Sequence, residues 1–124
     1  MTNSKLTASD VLRRYQDEYL PEFSEIELHD VNQVGIFGTR PIHVAASRGS
    51  IEEVIALLEG GADVNAVGEL GNTPLHDAVG LERAETVKVL LKYGATSAKK
   101  NEWGQTPLDM AVLCGRKDIA DLMK

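Results

Sequence analysis

The sequence contains a single cysteine, Cys114, among 124 residues, so no disulfide can form within the chain. Aromatic residues make up only 5% of it, and no run of about 18 apolar residues occurs. The first residues, Met1 to Lys5, lack the apolar segment of a secretory signal. These absences argue against a disulfide-stapled secreted domain and against a membrane protein, and they predict a soluble, cytoplasmic protein.

Clusters of lysine and arginine are also missing, and the formal net charge is −6. Residues 1–35 hold seven acidic and three basic side chains, so −4 of this charge lies there and −2 in the rest. A nucleic-acid-binding surface needs clustered basic side chains that displace counterions from phosphates, so direct binding of DNA or RNA is not expected. An acidic surface would steer a basic partner protein towards the chain, and plain solubility is the alternative explanation.

What the chain does contain is a motif that returns every 33 residues. Its fullest form is Gly-Asn-Thr-Pro-Leu-His at residues 71–76, and related segments stand at residues 38–43 and 104–109. Downstream positions keep the same register: Ala45, Ala78 and Ala111 align, as do Leu57, Leu90 and Met123. A fixed period of this length predicts stacked units rather than one globular core, and about three units are needed for a stable array.

This repeat resembles that of the ankyrin family, in which a hairpin loop is followed by two antiparallel helices. The resemblance covers about residues 30–124 and implies an all-α solenoid of helix-turn-helix units joined by hairpin loops, with a divergent N-terminal helical cap. Seven residues match the structural positions of the motif: Pro41, His43, Thr73, Pro74, His76, Thr106 and Pro107. In the family, the motif histidine hydrogen-bonds the backbone of the adjoining hairpin, and the resemblance implies this role for His43 and His76.

The register divides the chain into one structural domain of four segments. Residues 1–32 form an N-terminal cap helix and the end of a degenerate repeat, residues 33–65 and 66–98 two full repeats, and residues 99–124 a truncated third repeat that caps the C-terminal end. Three positions depart from the motif. Arg40 replaces the capping threonine, a loss of about 1 kcal/mol; Glu82 stands at a turn where Gly49 and Gly115 mark the other repeats; and Asp109 replaces the histidine.

The two ends of the chain are predicted separately. A helix begins at a cap, Thr7 or Ser9, and continues to about Leu20, where Pro21 ends it. Its apolar face comprises Val11, Leu12, Tyr15 and Tyr19. Residues 22–28 are expected to be extended or irregular, and this region is either a cap for the stack or a partner-specific appendage. At the other end, a two-turn helix from Asp118 to Lys124 turns Asp118, Asp121 and Lys124 outward.

The sequence offers no catalytic, metal or cofactor site. His43 and His76 lie one repeat apart, roughly 10 Å by helix stacking, and no third ligand stands in register. Cys114 as a nucleophile with His76 as its base lacks any oxyanion donor or orienting acid. Gly60 and Gly61 follow a helix instead of opening one, a pattern typical of a C-cap and not of a phosphate loop.

In the ankyrin family the concave side of the stack holds partner proteins, and the register identifies the matching positions here. On the hairpins these are Ile36, Phe37, Thr39, Glu69, Leu70, Asn72, Glu102, Trp103 and Gln105, and on the inner helices Ser47, Arg48, Leu81, Leu113 and Cys114. Phe37, Leu70 and Trp103 recur at the repeat spacing, just before the turn glycine, and we call them the fingertip column. They form either an interface, since binding hot spots favour large aromatic residues, or packing between neighbouring hairpins. Arg40 and Arg48 would add a basic spot unless Asp77 or Glu69 neutralises them.

These observations predict a non-enzymatic protein-binding module that occludes or inhibits a partner protein and is a monomer when unbound. The chain looks like small free-standing ankyrin-repeat proteins of bacteria, which suggests an immunity protein or antitoxin against a toxin enzyme such as a basic nuclease. The alternative is a regulatory adaptor or scaffold that sequesters a signalling or transcription protein. A designed consensus repeat is disfavoured by Arg40, Glu82 and the N-terminal segment.

Overall fold

The computed structural model describes residues 5–124, and residues 1–4 of the predicted N-terminal segment lie outside this range. Seven α-helices and no β-strand occur in the described residues: α1 Ala8–Asp17, α2 Pro41–Arg48, α3 Ile51–Glu59, α4 Pro74–Gly80, α5 Ala84–Lys92, α6 Pro107–Leu113 and α7 Lys117–Leu122. Short turns stand at Pro21–Phe23, Ile36–Gly38 and Glu69–Gly71. None of the helices in this range is long and apolar enough to cross a membrane.

The helices form two layers. The inner helices α2, α4 and α6 pack side by side, the outer helices α3, α5 and α7 do the same, and α1 lies against α3. Each inner helix packs against the outer helix that follows it in the chain. This arrangement confirms the all-α repeat stack, with α1 extending the outer layer by one helix.

Local chemistry explains where the helices begin and end. The hydroxyls of Thr73 and Thr106 accept hydrogen bonds from the backbone N–H three residues later, and a proline follows each threonine at the first helical position. Gly94 has φ +97° just after α5, the left-handed conformation of a helix stop. The expected capping pattern is therefore confirmed in the second and third repeats.

The core lies between the two layers. Its fully buried large side chains include Ile42, Leu57, Leu75, Leu90 and Ile119. The aligned alanines of the inner helices, Ala45, Ala78 and Ala111, are completely buried as well. Their small size lets successive inner helices approach closely, which is why the repeat keeps alanine at this position.

Helix α1 differs from the prediction in where it ends and in the place of Tyr19. Thr7 caps it, in a reciprocal pair with Asp10, but the helix ends at Asp17 instead of Leu20. Tyr19 has φ +51° and an exposed ring, so the expectation that it shares the apolar face with Tyr15 is wrong. Because Pro21 holds the residue before it in an extended conformation, the chain must turn out of the helix earlier.

The segment after α1 folds back over the first repeat. Phe23 is buried, and the backbone of its short turn lies against the first hairpin. Asn32 accepts a hydrogen bond from Asp63 N (2.9 Å) and donates one to Gly61 O (3.0 Å). Asn65, one period later, bonds Thr96 N and Gly94 O in the same way. Asn32 thus makes the contact that Asn65 makes one period later, although α1 lies against the outer helix α3 and an irregular segment stands between α1 and Asn32.

Two of the motif departures have visible consequences. The side chain of Arg40 cannot accept a hydrogen bond, so α2 lacks the cap that threonine gives the other inner helices. The bond from Arg40 N to His43 Nδ1 (3.0 Å) remains. Glu82 adopts φ +59°, beside +70° at Gly49 and +71° at Gly115. The middle repeat therefore makes the same left-handed turn as the others and bears the strain of a side chain there.

Candidate protein-binding face

The hairpins present the predicted binding positions at the entrance of each inner helix. In each hairpin one backbone bond closes the loop: Gly35 N to Thr39 O at 2.6 Å, Gly68 N to Asn72 O at 2.8 Å, and Asn101 N to Gln105 O at 2.9 Å. The second and third hairpins also touch, since Glu102 N donates to Leu70 O at 3.0 Å. The loops are thus ordered by backbone bonds, and their tip side chains are not required to hold them together.

The fingertip column is open to solvent. Phe37 is 73% exposed, Trp103 68% and Leu70 44%. Most of the Phe37 and Trp103 surface therefore stays uncovered by the neighbouring hairpins, and only Leu70 is half covered. Exposed Glu69 and Glu102 stand next to Leu70 and Trp103 in the chain and give the column an acidic edge.

The backbone at two of these tips is unusual. Phe37 (φ +56°) and the following Gly38 (φ +83°) both lie in the left-handed region, as do Leu70 (+59°) and Gly71 (+76°). Two successive residues with positive φ define a type I′ turn, which favours asparagine or glycine at its first central position. A large apolar side chain there costs on the order of 1 kcal/mol relative to glycine.

The third hairpin has a different turn. Asn101 uses its side-chain oxygen to accept bonds from Trp103 N and Gln105 N, both at 3.0 Å, and Trp103 avoids positive φ. The aligned positions are Gly35 and Gly68, which have no such side chain. A Cβ at Gly35 would lie 2.2 Å from Glu22 O, and one at Gly68 would lie 2.9 Å from the ring of His43. The close approach of Glu22 and of His43 requires glycine at these positions, so neither hairpin can form the side-chain bonds that Asn101 makes.

The other predicted binding positions differ in accessibility. Ile36, Glu69, Leu81, Glu102, Leu113 and Cys114 are exposed, whereas Ser47, Asn72 and Gln105 are partly buried. Thr39 is only 9% exposed, so its side chain is not open to a partner in this structure. The exposed members lie on the hairpin tips and at the ends of the inner helices, and they surround the fingertip column.

Arg48 is held by the N-terminal segment. Its guanidinium forms two hydrogen bonds with Glu18 (2.7 and 3.2 Å) and lies 3.4 Å from an oxygen of Glu53. It also stacks 5.1 Å above the ring of Tyr15. The Glu18 hydrogen bonds, the largest cause, raise the pKa of Arg48. The basic spot expected at Arg48 is therefore neutralised, by Glu18 and Glu53 and not by Asp77 or Glu69.

The side chain of Glu53 joins α1 to the stack. It is 1% exposed and accepts hydrogen bonds from Tyr15 Oη (2.5 Å) and Arg14 Nη1 (2.7 Å). Burial and the bond to Glu53 raise the pKa of Tyr15, which therefore stays protonated. Sequence periodicity missed this network, because Glu53 falls among the solvent-facing charges of an amphipathic helix.

The motif histidines connect successive repeats. His43 accepts from Arg40 N and contacts Ala66 O at 2.9 Å, and His76 contacts Gln105 O at 2.9 Å. Both carbonyls belong to the next hairpin, as the resemblance implies. Burial lowers the pKa of each imidazole, so both are neutral near pH 7 and donate through Nε2.

Asp109 keeps one half of this arrangement. Its carboxylate accepts from Thr106 N at 3.0 Å, as the histidine Nδ1 does in the other two repeats, and this contact lowers its pKa. No further hairpin follows in the described residues, so the Nε2 hydrogen of a histidine at this position would have no carbonyl to bond. Replacement of histidine by aspartate at this position therefore loses no contact between repeats.

A groove of about 530 Å³ lies on the concave side between the first two repeats. The segment after α1 forms one wall, the second hairpin another, and α2 and α4 form the floor. Its charged lining residues are Glu22, Arg48, Glu69, Asp77 and Arg83. The sequence alone did not indicate this groove, since the N-terminal wall lies outside the repeat register.

Cys114 is exposed and directly follows α6. Within residues 5–124, no three histidine, cysteine, aspartate or glutamate side chains converge in a way that could hold a metal ion. The arrangement instead offers an ordered apolar column, an acidic edge and a charged groove on one side of a rigid stack. These features suit contact with another protein.

Comparison with known protein families matches residues 15–101 to a family model described as ankyrin repeats, in three copies. The matched range begins inside α1, upstream of the point where the sequence motif becomes recognisable, and ends just before the third motif at residues 104–109. Among curated proteins, no significant match to this chain is found. Most of the chain is covered by the family model, and ankyrin repeats indicate a protein–protein interaction module. The chain therefore belongs to the ankyrin-repeat family.

Proposed function

We propose that this chain binds one partner protein on its concave face and masks a functional surface of that partner without catalysing a reaction. The observation that carries the proposal is the fingertip column, in which two exposed large apolar residues, Phe37 and Leu70, occupy left-handed turn positions. Glycine or asparagine would relieve the backbone strain, and a polar residue would avoid exposed apolar surface. Strain of this kind concentrates at functional sites.

Rigidity supports binding by occlusion. The hairpin tips are fixed by backbone bonds, and the repeats are linked by His43, His76 and the asparagine pair Asn32 and Asn65. A preorganised surface loses little conformational entropy on association, so its apolar contacts contribute more fully to affinity. Trp103, the one aromatic residue of residues 99–124, is exposed and belongs to the residue type most enriched among binding hot spots.

The specific role we favour is an immunity protein or antitoxin in the cytoplasm, monomeric when free, that covers the active surface of a toxin enzyme. The net charge of −6 favours a basic partner such as a nuclease, chiefly through faster encounter. A regulatory adaptor that sequesters a signalling or transcription protein uses the same surface and is the second candidate. The two roles differ in whether the captured partner is a toxic enzyme that loses activity at equal molar ratio.

The test is affinity capture from the source cell, followed by mass spectrometry, with the wild type beside the variant F37A/L70A/W103A. Alanine keeps a Cβ at Phe37 and Leu70, the two positions with positive φ, so the variant removes contact surface without relieving the backbone strain. We expect one basic protein to be captured by the wild type and lost, by at least about a hundredfold in affinity, in the triple variant. The captured protein, purified, should then lose its activity when the chain is added in equal amount.

Two matched variants separate the possible surfaces. Val112→Ala removes an exposed apolar side chain from α6, away from the hairpin tips, and should leave capture unchanged. Tyr19→Ala removes an exposed aromatic ring at another positive φ, in the segment after α1. Undiminished capture by the triple variant would refute the concave assignment, and loss with Tyr19→Ala alone would move recognition to the N-terminal segment. Unchanged helical circular dichroism and melting must accompany each variant.

A further inference from the structure

The concave groove contains a carboxyl group at a position where the other repeats place apolar residues. Asp77 directly follows the motif histidine in α4, and its counterparts one period away are Val44 and Met110. Val44 is buried and Met110 partly buried. Asp77 is likewise half-buried in the wall of the groove. The chain itself therefore shows that this position of the fold accommodates an apolar side chain, and that the middle repeat departs from it.

The carboxyl of Asp77 has no partner within the described residues, where it forms neither an ion pair nor a side-chain hydrogen bond. Desolvation by burial, helped by the negative charge of Glu69, raises its pKa to about 7. A half-buried carboxyl without a donor is costly in its charged form. Its presence in the groove thus lowers the stability of the free protein near neutral pH.

The basic groups around the groove do not neutralise Asp77. Arg48 is occupied by Glu18 and Glu53, and Arg83 donates its Nε hydrogen to Ser47 O at 3.1 Å. The imidazole of His43 is neutral near pH 7, because burial lowers its pKa. Arg83 keeps its positive charge, and the other two charged residues that line the groove, Glu22 and Glu69, are negative. With Arg48 paired to Glu18 and Glu53, the groove lining presents three carboxyl groups, Glu22, Glu69 and Asp77, against one arginine, Arg83.

We propose that the concave groove binds an arginine side chain of the partner protein, with the carboxylate of Asp77 as its direct ligand and Glu69 as a second acceptor. This inference rests on the proposed function, since it specifies the chemistry of the partner at the same face. The planar guanidinium has five donors and can bond two carboxylates at once, whereas an ammonium acts as a point charge. The apolar stem of the arginine would lie against Leu20 and Leu70, which also line the groove.

Binding of this kind is linked to pH. A cation favours the charged carboxylate, so an Asp77 that holds a proton in the free protein releases it when the guanidinium enters. Affinity should rise as pH increases from about 6 to about 8, the range in which Asp77 gives up its proton. The guanidinium of the bound arginine stays charged throughout this range. His43 stays neutral above its ordinary pKa because burial lowers that value further.

The test titrates the purified chain with N-acetyl-arginine amide and follows backbone amide shifts by ¹H–¹⁵N NMR. N-acetyl-citrulline amide, a neutral isostere of arginine, serves as the matched ligand control. We expect saturable shifts confined to the groove, at Thr39, Glu69, Leu70 and Asp77, and affinity about tenfold weaker for citrulline and for the Asp77→Asn variant. Affinity should increase with pH in the wild type and be flat in Asp77→Asn.

Stability distinguishes this role from a structural one. Two variants are compared with the wild type: Asp77→Asn, and Asp77→Val, which introduces the residue of the first repeat. Above about pH 7 both should melt at a higher temperature than the wild type and bind the arginine amide less well. Because the pKa of Asp77 is raised, the folded state holds a proton that the unfolded state has released. The contribution of Asp77 to stability is therefore greatest below the ordinary aspartate pKa and is lost as pH rises through about 7. Asp121→Asn, the same change on exposed α7, should alter neither property.

Three outcomes would overturn the proposal: shifts spread over the whole acidic surface, equal binding of the citrulline amide, or full binding by Asp77→Asn. Each of these leaves partner capture by the fingertip column intact, so a failure here is separate from a failure of the proposed function. Conversely, the arginine-amide titration is made on the wild type, so capture that survives the triple fingertip variant does not decide its outcome.

Discussion

At the scale of single residues, the structure shows how the chain tolerates departures from its own repeat. Glu82 occupies a left-handed turn that the other repeats give to Gly49 and Gly115. Its carboxylate reaches Arg116 in the next repeat, which also bonds Asp118 at 2.8 Å. These are exposed ion pairs, whose contribution to stability is small. The strain at Glu82 is therefore only weakly offset by the contact.

We expect Glu82→Gly to stabilise the protein by up to about 1 kcal/mol, because glycine adopts positive φ without steric strain. Chemical denaturation at neutral pH measures this change. Glu82→Gln keeps the strain and removes only the charge, so it should lie close to the wild type. Gly115→Ala introduces a side chain at the aligned left-handed turn and should lower the free energy of unfolding by about 1 kcal/mol. No atom lies within 4 Å of the added methyl group, so this loss would come from backbone strain alone. A destabilised Glu82→Gly would mean that the contact with Arg116 outweighs the strain.

At the scale of the secondary-structure elements, the connections between repeats are made by buried polar groups. The imidazole of His76 is almost fully buried and joins α4 to the third hairpin through Gln105 O. Thr73 N donates to its other nitrogen at 3.0 Å, so one side chain both caps a helix and fixes the next loop. Asp109 shows that the capping half can be kept alone where no further hairpin follows.

Replacement by asparagine separates these two roles. Asparagine can still accept from the capping N–H but does not reach the next hairpin, so His76→Asn should destabilise the protein by about 2 kcal/mol. Asp109→Asn, the same new residue at the aligned position, should cost less than about 0.5 kcal/mol. Equal losses in thermal or urea unfolding would show that the bond to Gln105 O contributes nothing beyond the cap. Backbone NMR shifts of the third hairpin should move in His76→Asn only.

At the scale of the whole molecule, stability is unevenly distributed because each repeat contacts only its neighbours. The middle helices α4 and α5 are covered on both sides, and α1 closes the N-terminal end through the buried Glu53 network. The C-terminal end is more open. Val112 is 60% exposed on α6, whereas its counterparts Ala46 and Val79 are buried by the following repeat.

Native-state hydrogen exchange should therefore show the strongest amide protection in α4 and α5 and clearly weaker protection in α7. The physical reason is that opening of the terminal helix pair uncovers one interface, and opening of the middle pair uncovers two. Uniform protection along α2 to α7 would contradict this picture and indicate that the stack unfolds only as a unit. Amide exchange in α3 should be about as slow as in α5, because α1 packs against α3 on its N-terminal side.

The sequence by itself determined the repeat, its period, the all-α stack and the caps at Thr73 and Thr106, because these depend on local chemistry repeated in register. It also placed Phe37, Leu70 and Trp103 at the hairpin tips, although their use as a binding surface stays a proposal. Only the tertiary structure decided what depends on groups distant in the chain. The end of α1 at Asp17, the neutralisation of Arg48 by Glu18 and Glu53, and the close packing that requires glycine at residues 35 and 68 are of this kind. The partnerless carboxyl of Asp77 belongs with them, since burial is set by the folded neighbours and not by the residues beside it in sequence.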